Sequence, residues 1–199
     1  MTSKKEIQEQ RVRGYFIAAT KEILKSEGLK SVSVRNIADR AGYSFASLYN
    51  YFKDAKELVF LCVKDFREEC IAYAQEKAAS KPAGAKHLKA VTLAYLEYFI
   101  QYPGIHDLFF NEKLSDIGHT GDTTSLVVSL LETLSESDWQ HIAKHEKLSG
   151  KEVGHRQSAL LLGTTGILSL YLNRRYPATY EAFLKQAGNF IDQQINQAK

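Results

Sequence analysis

The stretch Gly28–Asp54, G-L-K-S-V-S-V-R-N-I-A-D-R-A-G-Y-S-F-A-S-L-Y-N-Y-F-K-D, decides how the chain is read. Ser33 stands directly before Val34, Ile37, Ala38 and Ala41, which recur at the three-to-four spacing of one helical face. A serine at that boundary accepts from a backbone N–H that the first turn leaves unpaired, so a short helix is predicted to start there. Gly42 closes it, because glycine enters the left-handed region without a Cβ clash. Ser44 repeats the cap, and Leu48 and Phe52 give a second short helix its inward face. Two short helices across a tight glycine turn make a helix-turn-helix, whose second helix lies in the major groove of DNA.

Working outward, a first helix is predicted over Lys5–Glu27, with Phe16, Ala19, Ile23 and Leu24 as its apolar stripe and Gly28 as its stop. Beyond the helix-turn-helix, Asp54 and Glu57 have capping-box spacing and open a long fourth helix through Leu58, Leu61, Cys62, Phe66 and Cys70. Loop signals at Ser80–Gly84, Tyr102–Gly104, Ser115–Thr124, Leu148–Gly154 and Pro177 divide the rest into about five more helices. Gly150 and Gly154 either begin or interrupt one of these. With only three prolines in 199 residues and no period-two alternation, the chain reads as all-α with about nine helices. Residues 1–53 form the predicted DNA-binding head, and residues 54–199 the body.

The last two long segments differ. Ala159–Leu172 is apolar or small on every side, the pattern of a helix buried all round. The final segment has a one-sided stripe of Tyr180, Phe183, Leu184, Ala187, Phe190, Ile191 and Ile195. Covering the first of these takes more than the chain's own surface, so a homodimer through the last two helices is expected. Gly163 and Gly166 would permit close approach there, and packing within the chain accounts for them nearly as well.

Charge is unevenly placed. Residues 1–58 carry eleven Lys/Arg against seven Asp/Glu, a balance of +4, while the remainder stands at −1. A basic head on a near-neutral body suits a polyanion partner for the head alone. The N-terminus lacks an apolar signal core, and no run approaches a membrane span. Cys62 and Cys70 lie too far apart along one helix to bridge, so reduced cysteines and a cytoplasmic setting are expected.

The ordered string of Gly28, V-R-x-I-A-x-x-A-G, S-x-x-S-L-Y-x-Y-F and the E-L that opens the fourth helix resembles the head of the TetR/AcrR family of transcriptional regulators. The match covers about a quarter of the chain; the body agrees in length and helical pattern only. The resemblance implies a repressor that binds a palindromic operator in double-stranded DNA as a homodimer and is released by a small-molecule effector. It assigns Ser33 and Tyr49 to phosphate, and Arg35 to phosphate or a base edge. Ser44, Phe45, Ala46 and Ser47 would face the bases, with Asn50 and Tyr51 on the flanking backbone. Where the family often has a lysine opening the fourth helix this chain has Ala55, and Lys53 and Lys56 on either side are the candidates to replace it. Phe45 and Ala46 also depart from the Lys, Arg or Gln common there. Neither makes the bidentate bonds to guanine or adenine, so a T-rich contact through the thymine methyl groups is predicted.

An effector pocket is implied in the body, and Phe66, Tyr95, Phe99, Phe110 and Thr165 are its candidate lining, with a small apolar or aromatic molecule as effector. His141 and His145 share a helical face beside Glu146, but a metal needs a further ligand from His155 or His119, and a solvated face is the simpler reading. Gly163–Gly166 lacks the preceding strand and following lysine of a phosphate loop. No catalytic constellation or cofactor fingerprint stands out, so no enzyme, metal or cofactor is expected. Two rival readings stay open at this stage: a protein of the same fold without an effector, and a helical enzyme with an incidental head.

Overall fold

The computed structural model describes residues 4–113 and 120–196, and every regular element among them is helical. The α-helices are α1 (Lys4–Ser26), α2 (Val34–Ala41), α3 (Phe45–Leu48), α4 (Ala55–Ala78) and α5 (Ala85–Gln101). They continue as α6 (Pro103–His106), α7 (Thr120–Val128), α8 (Leu130–Glu146), α9 (Gly150–Arg174) and α10 (Tyr180–Ile195). A 3₁₀ turn at Leu29–Ser31 and a π-helical turn at Asp107–Asn111 complete the set. The chain forms two compact units, Met1–Glu68 with Tyr102–Val127, and Glu69–Gln101 with Val128–Lys199. The boundary drawn in the sequence at residue 53 therefore falls inside the first unit, and α4 runs from one unit into the other.

The first unit is built on the apolar stripe of α1. Phe16, Ile23, Ile37, Ala38, Leu48, Phe52 and Leu58 are all buried in one cluster. A single side chain of that size contributes about 1.5–3 kcal/mol through burial, enough to hold helices of eight and four residues that would not form alone. The unit reaches Gly104 because of a close approach: a Cβ there would lie 2.5 Å from the Leu24 carbonyl oxygen. Only a glycine seats α6 against the end of α1.

In the second unit a buried carboxylate ties α8 to the start of α5. Asp138 accepts from the Gly84 backbone N–H at 2.8 Å and lies 2.7 Å from His87 Nδ1. Arg156 of α9 donates to the Ile195 carbonyl at 2.8 Å, closing α9 on the end of α10, while Lys89 and Asp192 pair α5 with α10. Tyr180 donates to Glu97 at 2.6 Å.

Several expectations need correcting. The break at Leu148–Gly154 is helical from Gly150 onward, because Ser149 and Glu152 make a reciprocal capping box that outweighs both glycines. The break expected over Ser115–Thr124 lies partly outside the described residues, and from Thr120 on it is α7. Pro103 is the first residue of α6, so the Tyr102–Gly104 signal marks the boundary between two adjoining helices rather than a loop. Ala159–Leu172, expected to need more than its own chain to cover it, is only partly covered within one chain. Leu160, Thr164 and Leu168 are buried, while Leu162 and Leu170 stand 73% and 48% exposed. The two glycines also separate: the Phe190 ring occupies the space beside Gly163, whereas nothing lies within 4 Å of a Cβ at Gly166.

Candidate nucleic-acid interface

The two short helices are fixed by their caps. Ser33 Oγ accepts from Asn36 N at 3.1 Å, and the Asn36 side chain returns to the Ser31 carbonyl at 2.8 Å. Gly42 takes φ +75°, which lets Tyr43 N–H reach the Ala38 carbonyl at 3.0 Å and turns the chain sharply. Ser44 Oγ accepts from Ser47 N at 3.2 Å, and the two hydroxyls lie 2.8 Å apart. One hydroxyl hydrogen of that pair stays available to a ligand.

With Leu48 and Phe52 anchored in the core, the opposite side of α3 is presented to water. Phe45 is 62% exposed and Tyr49 55% exposed, with Ala46 and Asn50 also exposed between and beside them. Two large aromatics, one on this one-turn helix and one at its C-cap, thus stand in water rather than in the core. Tyr51 differs from the outward position expected of it. Its ring is half-buried 6.1 Å from Phe16, and its carbonyl accepts from Arg13. The reason is register: Tyr51 directly precedes Phe52 at the return to the core.

The two arginines of α2 have opposite fates. Arg40 pairs with Glu22 at 2.8 Å and Glu27 at 2.5 Å, and the hydrogen bonds it donates to Glu27 and Glu22 push its pKa further up. Arg35 is exposed and has no side-chain partner among the described residues. Lys53 and Lys56 are likewise exposed without an ion pair there, flanking the half-buried Ala55. The Lys53 backbone N–H is held by Glu57 at 2.8 Å, and Asp54 caps Glu57 at 2.9 Å. The structure therefore gathers Ser33, Arg35, Ser44, Phe45, Ala46, Ser47, Tyr49, Asn50, Lys53 and Lys56 on or beside the helix-turn-helix, and withdraws the Tyr51 ring. Sequence reasoning passed over Tyr15, which is 54% exposed and stacked on Tyr43 at 6.2 Å. Its position off the apolar stripe of α1 was the available signal.

The candidate effector residues are less gathered. Phe66 and Phe110 belong to the first unit, and Tyr95, Phe99 and Thr165 to the second. Phe66, Tyr95 and Phe99 are fully buried, and Phe110 and Thr165 half-buried. Tyr95 packs edge-on to Phe99 at 5.1 Å, and its hydroxyl is buried without a hydrogen-bond partner among the described residues. Burial pushes that phenol well above its ordinary pKa. A separate cavity of about 240 Å³ opens between α8 and α9, lined by Leu131, Ser135, Trp139, Gln157, Ser158 and Leu161 among others. The buried indole N–H of Trp139 also lacks a partner among the described residues.

Cys62 and Cys70 are both buried, and burial pushes the Cys70 thiol up to about 12, which suppresses thiolate chemistry. The rings of His141 and His145 lie 4.5 Å apart; His119 is outside the described residues. No group of three His, Cys, Asp or Glu among the described residues is arranged to hold a metal. No helix among them is long and apolar enough to cross a membrane.

Residues 16–62 match the family model described as bacterial regulatory proteins, tetR family. No curated protein matches the sequence. Among solved structures, the fold is similar to the transcriptional regulator FadR of Bacillus subtilis, solved in complex with stearoyl-CoA, at 14% identity and TM-score 0.67, covering 94% of this chain and 100% of that one. A fatty acid degradation regulator FadR of Bacillus halodurans is similar at 9% identity and TM-score 0.67, covering 94% and 96%. A TetR family transcription regulator of Marinobacter aquaeolei is similar at 17% identity and TM-score 0.65, covering 94% and 97%.

Proposed function

Because residues 16–62 match the model of the bacterial regulatory proteins, tetR family, we propose that this chain is a regulator of that family: a homodimeric, effector-released repressor acting on a palindromic operator. The observation that carries the DNA-binding part is the pairing of an unpartnered, exposed Arg35 with the exposed Phe45 and Tyr49 of a capped recognition helix. A guanidinium with no internal carboxylate is free to meet phosphate or a base edge, and a phenol donates to phosphate while its ring packs on sugar. Arg40, held by two glutamates, supplies the frame instead.

Dimerisation through α9 and α10 is supported by Leu162, Gly166 and Leu170, one face of α9 at four-residue spacing that its own chain leaves open. A homodimer on a palindromic operator would present its two recognition helices about one turn of B-DNA apart, ~34–36 Å. For the effector, the buried and unpartnered Tyr95 hydroxyl favours a largely apolar molecule that carries one hydrogen-bond acceptor. The B. subtilis neighbour, bound to stearoyl-CoA, is a precedent for apolar effectors on this fold. An effector acts only by its differential affinity for the DNA-competent and released states.

The test is selection of bound sequences from randomised duplex DNA, followed by affinity against salt. A palindromic consensus and steep salt dependence are expected, and the Arg35→Ala/Tyr49→Phe double variant should weaken binding about 10²-fold and lower the log–log salt slope by roughly 1 per bound protomer. Selection that returns no consensus would remove the reading. A panel of acyl and aromatic ligands then tests release, with Tyr95→Phe expected to weaken the response while leaving operator affinity unchanged.

A further inference from the structure

We propose that one stripe of α1, formed by Lys4, Gln8, Arg11 and Tyr15, grips the phosphates of the same DNA duplex outside the segment read by α3. The proposal rests on the DNA-binding reading above and adds a second contact surface to it.

The four positions follow at spacings of four, three and four, which places them on one side of a 3.6-residue helix. All four are exposed, and with Ile7, Val12 and Tyr43 they line a shallow surface concavity of about 570 Å³. Its two cations, Lys4 and Arg11, have no ion-pair partner among the described residues. The acidic residues of this part of α1, Glu6 and Glu9, fall on other sides of the helix, and Glu9 lies 4.0 Å from Lys5. The stripe is therefore positive and neutral along its whole length, interleaved with an exposed tyrosine, which is the chemistry that suits a sugar-phosphate backbone.

Its position argues for DNA rather than a merely solvated face. The Tyr15 ring stacks on Tyr43 at 6.2 Å with the planes inclined by 27°, and Tyr43 directly precedes the Ser44 cap of α3. The stripe begins where the base-reading edge begins. From Tyr15 back to Lys4 the helix advances ~16 Å at 1.5 Å per residue. Phosphates of one strand recur every ~3.4 Å along the duplex axis, so a stripe of that length can meet more than one of them.

The experiment compares two duplexes, the selected operator with long flanks and the same operator trimmed to its recognised bases. Affinity is measured against salt for the wild type, Lys4→Ala/Arg11→Ala, Lys4→Arg/Arg11→Lys and Lys5→Ala. On the long duplex the double alanine variant is expected to bind about tenfold more weakly, with a log–log salt slope lower by roughly 2 per bound protomer. On the trimmed duplex it should match the wild type, the charge-conserving variant should restore the slope, and Lys5→Ala should change neither. Unchanged affinity and slope on the long duplex would overturn the proposal. So would an equal loss on both duplexes, because the substitutions would then be acting through the head itself. Absence of wild-type binding to either duplex is the separate result that removes the DNA-binding reading.

Discussion

Two faces of this chain hold large apolar side chains out in water, and their surroundings are unlike. On α3, Phe45 and Tyr49 stand among the capping serines, Asn50 and the unpartnered Arg35, with Lys53 and Lys56 close in sequence. On α9, Leu162 and Leu170 flank Gly166 on an open face. Beside it runs a groove lined by Gly163, Ile167, Ala182, Gln186 and Phe190. Exposed apolar groups that gather into a patch favour a covering partner, and their neighbours bear on which kind. Cations without internal partners suit a polyanion, and small or neutral neighbours suit a second apolar surface brought close.

The comparison is broken most directly at α9. Leu162→Glu/Leu170→Glu places two charges on the open face, and a monomer is expected in sedimentation where the wild type is dimeric. Operator affinity should fall by roughly 10²–10⁴, the gain that joining two binding modules supplies. A charged variant that stays dimeric and binds as before would assign the α9 face to something else.

At α3 the expected loss is smaller and of another kind. Arg35→Ala/Tyr49→Phe should cost about 10²-fold in affinity, from one charged hydrogen bond of ~2 kcal/mol and one neutral one of ~1 kcal/mol, and leave the dimer intact. Arg40→Ala is the contrast, since it removes exposed ion pairs that water screens and should lower thermal stability slightly with little effect on binding. Equal loss from both arginines would erase the distinction between a DNA-facing and a framing guanidinium.

That distinction shows where the sequence was legible and where it was not. Caps, turn and core of the head were readable because they are local: Ser33, Gly42 and Ser44 act on neighbours a few residues away. Which arginine is free was not readable, because Glu22 and Glu27 meet Arg40 only after α1 and α2 have packed. Tyr51 escaped for the same reason, its ring being placed by Phe16, 35 positions earlier. In the body, S-G-K-E at Ser149–Glu152 was a local capping signal that the glycines obscured. The close approach of Gly104 to α1 had no local trace at all.

Acid should separate the two regions further. Burial lowers the pKa of His106 in the first unit below its ordinary 6.5, against the opposing pull of Asp107. Above 6.5 the ring is neutral in folded and unfolded chain alike, so this group adds no pH dependence. As the pH falls from 6.5 through the lowered folded value, the unfolded chain takes up the proton first and stability is lost. Melting followed between pH 7.5 and 5 should show this decline, and His106→Gln should flatten it. A variant that keeps the full decline would place the proton uptake elsewhere.

The smallest expected effect falls at the tip of the recognition helix and tests what its exposed apolar group does. Phe45 has no donor or acceptor on its side chain, so against DNA it has only contact with apolar groups to offer, and in the major groove the thymine methyl is that group. Phe45→Ala should therefore leave the salt slope unchanged, since no phosphate contact is lost, and weaken binding by only about threefold to tenfold, because an apolar contact falls at or below the ~1–3 kcal/mol of a bidentate pair. The loss should concentrate at one thymine step of the selected sequence, and replacing that thymine by uracil, which lacks the methyl, should reproduce it in the wild type. If uracil changes nothing, Phe45 is read by shape or by sugar. Its resemblance to the apolar groups of α9 would then be closer than its cationic setting suggests.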